Sequence, residues 1–85
     1  MSQWFVYMVE CADGSLYTGI TTDLHRRVAE HNSDGPQAAH YTRSRAPVSL
    51  VYQEPWPDRA AASRREAALK RLSRAEKQAL IRAAR

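Results

Sequence analysis

Tyr7 and Tyr17 lie in two short stretches of β-branched and aromatic residues, Arg27 and His31 are four residues apart, and Glu66 is the carboxylate of an alanine-rich stretch. Positions four apart share one face of a helix, so the arginine and the histidine can serve one site. Gly-rich phosphate loops, Gly-x-Ser-x-Gly elbows, His-Glu-x-x-His pairs and Cys-x-x-Cys pairs are absent, which removes the signatures of nucleotide-cofactor, serine-triad and zinc-hydrolase chemistry. The remaining set suits metal-assisted phosphodiester hydrolysis. That reaction needs an oriented, deprotonated water, charge to balance the phosphoryl oxygens, and stabilisation of the leaving oxygen. One arginine and one divalent ion can supply the last two. A single carboxylate ligand points to Mg²⁺ or Mn²⁺, with most of the shell made of water and phosphate.

These side chains must be held by a small set of elements. Residues 4–9 form a continuous apolar run, as expected of a strand buried on both faces. Asp13-Gly14 marks a turn into a second strand from Ser15 to Ile20. A two-residue loop would put Tyr7 and Tyr17 on opposite faces of the sheet. A three-residue loop, Ala12-Asp13-Gly14, would place Tyr7 opposite Gly19 and Tyr17 opposite Val9, on one face. Asp23 or Thr22 caps a helix over Leu24–Asn32, in which Leu24, Arg27, Val28 and His31 form the stripe towards the sheet. The plainer alternative has Arg27 and His31 at the edge of that stripe, reaching solvent.

Residues 33–47 have no clear period and are expected to form a loop with one helical turn, carrying His40, Tyr41, Arg43 and Arg45. Basic and aromatic side chains there suit phosphate contact and base stacking. A third strand over Val48–Gln53 is closed by Pro55 and Pro57, and Asp58 caps a helix to about Leu72. Ser73-Arg-Ala-Glu76 has the form of a capping box opening a last helix. Glu66 lies four residues after Ala62 and three before Leu69, on the apolar side of its helix, where a carboxylate needs a cation or hydrogen bonds. The alternative to metal binding is a salt bridge to Arg27 or a neighbouring arginine.

At 85 residues and 9.6 kDa, the chain has room for one domain, residues 1–85. Its single cysteine, Cys11, forms no internal bridge, and no stretch approaches the roughly 18 apolar residues of a membrane span. A cytoplasmic location is expected. Residues 59–85 hold nine Lys/Arg against two Glu, whereas residues 1–58 hold four Arg against seven acids. A basic second half suggests a polyanionic partner.

Phe5-Val6-Tyr7, Tyr17-Thr18-Gly19, Asp23-Leu24-x-x-Arg27-x-x-x-His31-Asn32 and Arg65-Glu66 together resemble the GIY-YIG nuclease superfamily. The resemblance covers almost the whole chain. It is closest to the small stand-alone bacterial members (YhbQ-like), which share the Tyr41-Thr42-Arg43, Pro47-x-x-Leu50-Val51-Tyr52 and Glu66-x-x-x-Lys70 pattern. It implies an α+β fold: a three-stranded antiparallel or mixed sheet flanked by helices. It also implies a metal-dependent endonuclease site. Position by position, Tyr7 and Tyr17 match the motif tyrosines, Gly19 the motif glycine, Arg27 the catalytic arginine, His31 the residue one turn later, and Glu66 the metal-binding glutamate.

The resemblance favours the three-residue hairpin loop. The first motif reads Phe-Val-Tyr rather than Gly-Ile-Tyr, and Ile20 stands where some family nucleases have lysine. Which of Tyr7, Tyr17 or His31 takes the water's proton stays open. The expected partner is nucleic acid, with DNA favoured and with Tyr41, Arg43, Arg45, Arg64, Lys70 and Arg74 as the residues that meet it. Substrate choice would fall to substrate shape, a homodimer or a protein partner. The alternative function is a non-catalytic nucleic-acid binding module on the same fold.

Overall fold

The computed structural model describes residues 3–33 and 41–84. Three strands and three helices follow one another as β1 (Trp4–Glu10), β2 (Leu16–Thr21), α1 (Leu24–His31), β3 (Ser49–Trp56), α2 (Arg59–Lys70) and α3 (Arg74–Ala83). The sheet order is β2-β1-β3, with both pairings antiparallel. The fold is therefore α+β, as the family resemblance implies, with the sheet antiparallel throughout and β1, read from its apolar run as a central strand, at its centre.

The apolar run of β1 serves two cores at once, because side chains alternate across a strand. Tyr7 and Val9 pack with Cys11, Val48, Leu24 and Val28 under α1. Val6 packs on the other face with Ala62, Leu69, Ile20, Tyr52 and Trp56. Val6, Met8 and Val9 are fully buried and Tyr7 almost so.

The β1–β2 turn has the three-residue loop. Tyr7 pairs with Gly19 and Val9 with Tyr17; the Cys11 N–H donates to the Ser15 carbonyl at 2.8 Å and the Gly14 N–H to the Cys11 carbonyl at 2.9 Å. Gly14 has φ +85°, a left-handed conformation that glycine adopts without Cβ strain. Both tyrosines thus face α1.

Strand β3 runs three residues past its expected end, through Pro55 to Trp56. It is an edge strand, where a missing N–H leaves no gap in the ladder. Its register shifts between Met8, opposite Tyr52, and Val9, opposite Leu50. Asp23, Asp58 and Ser73 each cap a helix by accepting a backbone N–H, and Ser73 and Glu76 complete the capping box. Asn32 forms a further clasp: its side chain accepts from the Val48 N–H at 2.6 Å and donates to the Val48 carbonyl at 3.1 Å. The end of α1 is thereby tied to the start of β3. No described helix is long and apolar enough to cross a membrane.

Candidate active site

Tyr7 projects from the middle of β1 across Gly19 on β2. A Cβ on Gly19 would lie 2.6 Å from the Tyr7 hydroxyl oxygen and 2.8 Å from Cζ, far inside van der Waals contact. Glycine is required there because the phenol ring occupies the space of a side chain. The Tyr7 hydroxyl shares a 2.7 Å hydrogen bond with Nε2 of His31, and Nδ1 of His31 shares another of 2.7 Å with Oγ1 of Thr42. His31 has no solvent exposure, so the plainer alternative of a solvent-reaching histidine does not hold. Tyr17 meets the His31 ring edge-on, with centroids 5.3 Å apart.

Burial pushes the Tyr7 hydroxyl up to about 12, with Arg27 opposing the rise and the charges of Tyr17 and Glu66 adding to it. His31 is pushed down to about 4, first by burial and then by the Arg27 cation. It is therefore a neutral imidazole near pH 7, with one donor and one acceptor nitrogen. Arg27 donates to Glu30 at 2.9 Å; burial works against its charge, but Glu30 and the nearby Tyr7 outweigh it and raise its pKa. Its side chain keeps about a quarter of its surface exposed.

Glu66 lies on α2, between buried Ala62 and Leu69 on the helix's apolar stripe. Its ion pair is with Lys70, one turn on, at 3.5 Å, and the Glu66 side chain is 23% exposed. The alternative of a salt bridge to an arginine is not what the structure has: Arg27 pairs with Glu30, and Arg65 pairs with Glu54 at 2.7 Å. Glu66 is thus a half-buried carboxylate with an exposed lysine as its ion-pair partner, close enough to bear on Tyr7. Among the described residues, no three His, Cys, Asp or Glu side chains gather as a metal cage. That donor set fits a hard ion that keeps most of its water, and it does not fit a many-liganded zinc site.

The other residues named from the sequence are dispersed. Tyr41 stacks on Tyr17 at 5.7 Å, and the Arg45 guanidinium lies 4.1 Å from the centre of the Tyr41 ring. Arg45 also pairs with Asp13 at 3.2 Å and donates to the Tyr41 carbonyl at 2.7 Å. This segment therefore packs against the tyrosine site, with its aromatic ring already in contact. Arg74 donates to the Gly14 carbonyl at 2.7 Å. Arg43 and Arg64 are exposed, and His40 lies outside the described residues. The hollow beside α3, lined by Glu10, Leu16, Val51 and Ile81 among others, includes none of the tyrosine site.

In the sequence, Thr42 and Asn32 stand out only as parts of motifs, and Glu54 does not stand out at all. Glu54 accepts hydrogen bonds from Tyr52, from Trp56 at 2.9 Å and from Arg65 at 2.7 Å. The i, i+2 spacing of Tyr52, Glu54 and Trp56 puts all three on one face of β3, and that spacing is the signal by which the sequence could have revealed the cluster.

Comparisons with known proteins bear on the family and the fold. Residues 3–79 match the model of the GIY-YIG catalytic domain. A UPF0213 protein of Desulfotalea psychrophila is 59% identical over 94% of this chain and 72% of its own length; one from Halobacterium salinarum is 55% identical over 89% and 96%. The solution structure of a UPF0213 protein from Bacillus halodurans is 44% identical, covers 93% of this chain and 82% of that one, and superposes with a TM-score of 0.58. Such a domain implies nuclease-type chemistry with nucleic acid as substrate. The matched domain, the relatives and the shared fold lead to one conclusion: this chain belongs to the GIY-YIG family, among its small UPF0213 members.

Proposed function

We propose that the protein is a metal-dependent endonuclease that hydrolyses phosphodiester bonds in nucleic acid, with DNA the favoured substrate. The observation that carries this reading is the convergence of the buried Tyr7 hydroxyl and neutral His31 with the partly exposed Arg27 guanidinium. A purely structural tyrosine–histidine pair has no need of an adjacent, partly exposed arginine.

In this mechanism Arg27 receives the scissile phosphate and balances charge growing on its oxygens. Glu66 would hold Mg²⁺ or Mn²⁺, which when bound lowers the pKa of water and shields phosphoryl charge. Tyr7 stands as the group that receives the water's proton while its own proton moves towards His31 Nε2. His31 is a weak base in the free protein partly because of Arg27. A phosphate on Arg27 cancels that influence, so substrate binding strengthens the acceptor when it is needed. This route answers the absence of a lysine at position 20. Tyr17 meets the His31 ring edge-on and helps to hold it.

Labelled single-stranded, duplex and branched DNA and RNA, incubated with Mg²⁺, Mn²⁺ or EDTA, test the reading. Cleavage that stops with EDTA, and that falls on the order of a hundredfold or more in Arg27→Ala, is expected. Glu66→Gln should abolish metal-dependent cleavage while retaining binding. Binding without cleavage across all substrates would instead select a non-catalytic module.

A further inference from the structure

The two hydrogen bonds on His31 raise a question that neither ring nitrogen answers alone. A neutral imidazole carries one proton, and Nε2 faces Tyr7 while Nδ1 faces Thr42, each at 2.7 Å. Two arrangements are available. In one, the tyrosine donates to Nε2 and Nδ1–H donates to the threonine. In the other, Nε2–H donates to the tyrosine oxygen and the threonine donates to Nδ1.

Three features favour the first. A phenol is far more acidic than an aliphatic alcohol, so Tyr7 is the better donor and Thr42 the better acceptor. The Arg27 cation bears on the Tyr7 hydroxyl, and a positive charge beside a phenol oxygen makes its O–H the stronger donor. An Nε2–H aimed at the Tyr7 oxygen would also leave the tyrosine's own proton to find another acceptor in a buried site.

We propose that Thr42 is a positioning residue: by accepting the Nδ1 proton of His31 it leaves Nε2 bare towards Tyr7, so that the tyrosine donates to His31 and turns an oxygen lone pair to the substrate water. Thr42 has no solvent exposure and comes from the chain that precedes β3, so the tautomer is set by a residue remote from the motif tyrosines. In proton terms, the water O–H breaks as a Tyr7 O–H forms, the original Tyr7 proton passes to Nε2, and the hydroxide attacks phosphorus as the P–O bond to the leaving oxygen breaks, that oxygen taking its proton from solvent. His31 becomes an imidazolium until it returns a proton to Tyr7 and Tyr7 releases one to solvent. With the opposite tautomer that transfer has no acceptor. The inference rests on the proposed nuclease reading for its catalytic consequence, but not for the position of the proton.

Nitrogen-15 NMR of imidazole-labelled protein near neutral pH reads the tautomer directly. The parent and Thr42→Ser should show a protonated Nδ1 and an unprotonated Nε2. Thr42→Val, which keeps the side-chain shape but offers no acceptor, should move the proton to Nε2 and slow cleavage on the order of a hundredfold, with nucleic-acid binding unchanged. A parent protein carrying its proton on Nε2 overturns the proposal, even if the valine variant fails to fold. So does a valine variant whose tautomer and cleavage match the parent. A parent with protonated Nδ1 that cleaves none of the substrates refutes the nuclease reading and supports the placement of the proton.

Discussion

Gly19 and Tyr7 show how a motif glycine and a motif tyrosine depend on one another through space. The ring that reaches His31 does so by lying across the bare Cα of Gly19. Gly19→Ala should therefore displace the Tyr7 hydroxyl and break its bond to His31, with a stability loss of about 1 to 3 kcal/mol from overpacking. Cleavage should fall far more than that modest loss would suggest. Thermal melts beside a cleavage assay check this, and an alanine variant with parental activity would show that Tyr7 has no precise task.

His31 gives a second expectation at the same scale. Its pKa is depressed in the fold, to about 4, against an unfolded value of roughly 6.5. Below about pH 6.5 the unfolded chain takes up a proton that the folded chain refuses. Stability should thus fall as pH drops from 6.5 to 4, by on the order of 3 kcal/mol. The carboxylates held below their usual range, Asp13, Glu54 and Glu76, lose their contribution further down, as they protonate. Chemical denaturation across this range should show the upper part of the decline in the parent and a flattened curve in His31→Gln.

At the scale of elements, α2 is held on the sheet by an apolar stripe and by Glu54. Hydrogen bonds from Tyr52, Arg65 and Trp56 together outweigh burial and hold the Glu54 carboxyl below its usual range. Arg65 directly precedes Glu66, so the clamp that seats Arg65 also fixes where Glu66 emerges. Replacing the carboxylate in Glu54→Gln leaves Arg65 without its ionic partner. Because that arginine is one-third exposed, the expected cost is modest, roughly 1 to 2 kcal/mol, read as a lower denaturant midpoint with unchanged slope. A larger cost would mean that the clamp holds the whole helix, not just its local register.

For the whole molecule, the basic side chains do not form a uniform cationic surface. Arg74 is committed to the Gly14 carbonyl, Lys70 to Glu66 and Arg65 to Glu54, whereas Arg43 and Arg64 are exposed without an ion pair to any described residue. Neutralising Arg43 and Arg64 together should flatten the salt dependence of nucleic-acid binding, by about 0.7 to 0.9 in log–log slope for each phosphate that is no longer neutralised. Neutralising Arg74 should change that slope less and lower stability more. Binding isotherms at several salt concentrations compare the two, and equal slopes would mean that the net charge acts without regard to position.

What the chain determines by itself is what depends on near neighbours. Six elements are readable from alternation, helical stripe and caps, because Asp23, Asp58 and Ser73 each satisfy an N–H three residues on. The apolar run of β1 announces a strand buried on both faces. The hairpin is a middle case: Asp13-Gly14 announces a turn, but its two possible registers differ only in which faces are buried. The packing of Tyr7, Val9 and Tyr17 under α1 decides between them.

The site itself was legible as a set of residue types and not as a circuit. Tyr7 meets His31 across 24 residues, His31 meets Thr42 across 11, and Arg74 meets Gly14 across 60. No local periodicity encodes such pairings. They exist because folding removes water from polar groups that must then find one another, and that same desolvation makes His31 neutral and turns a threonine into its partner. The sequence by itself determined which chemistry was possible. Only the tertiary structure decided which atoms face which, because hydrogen-bond partners are fixed by burial and not by order along the chain.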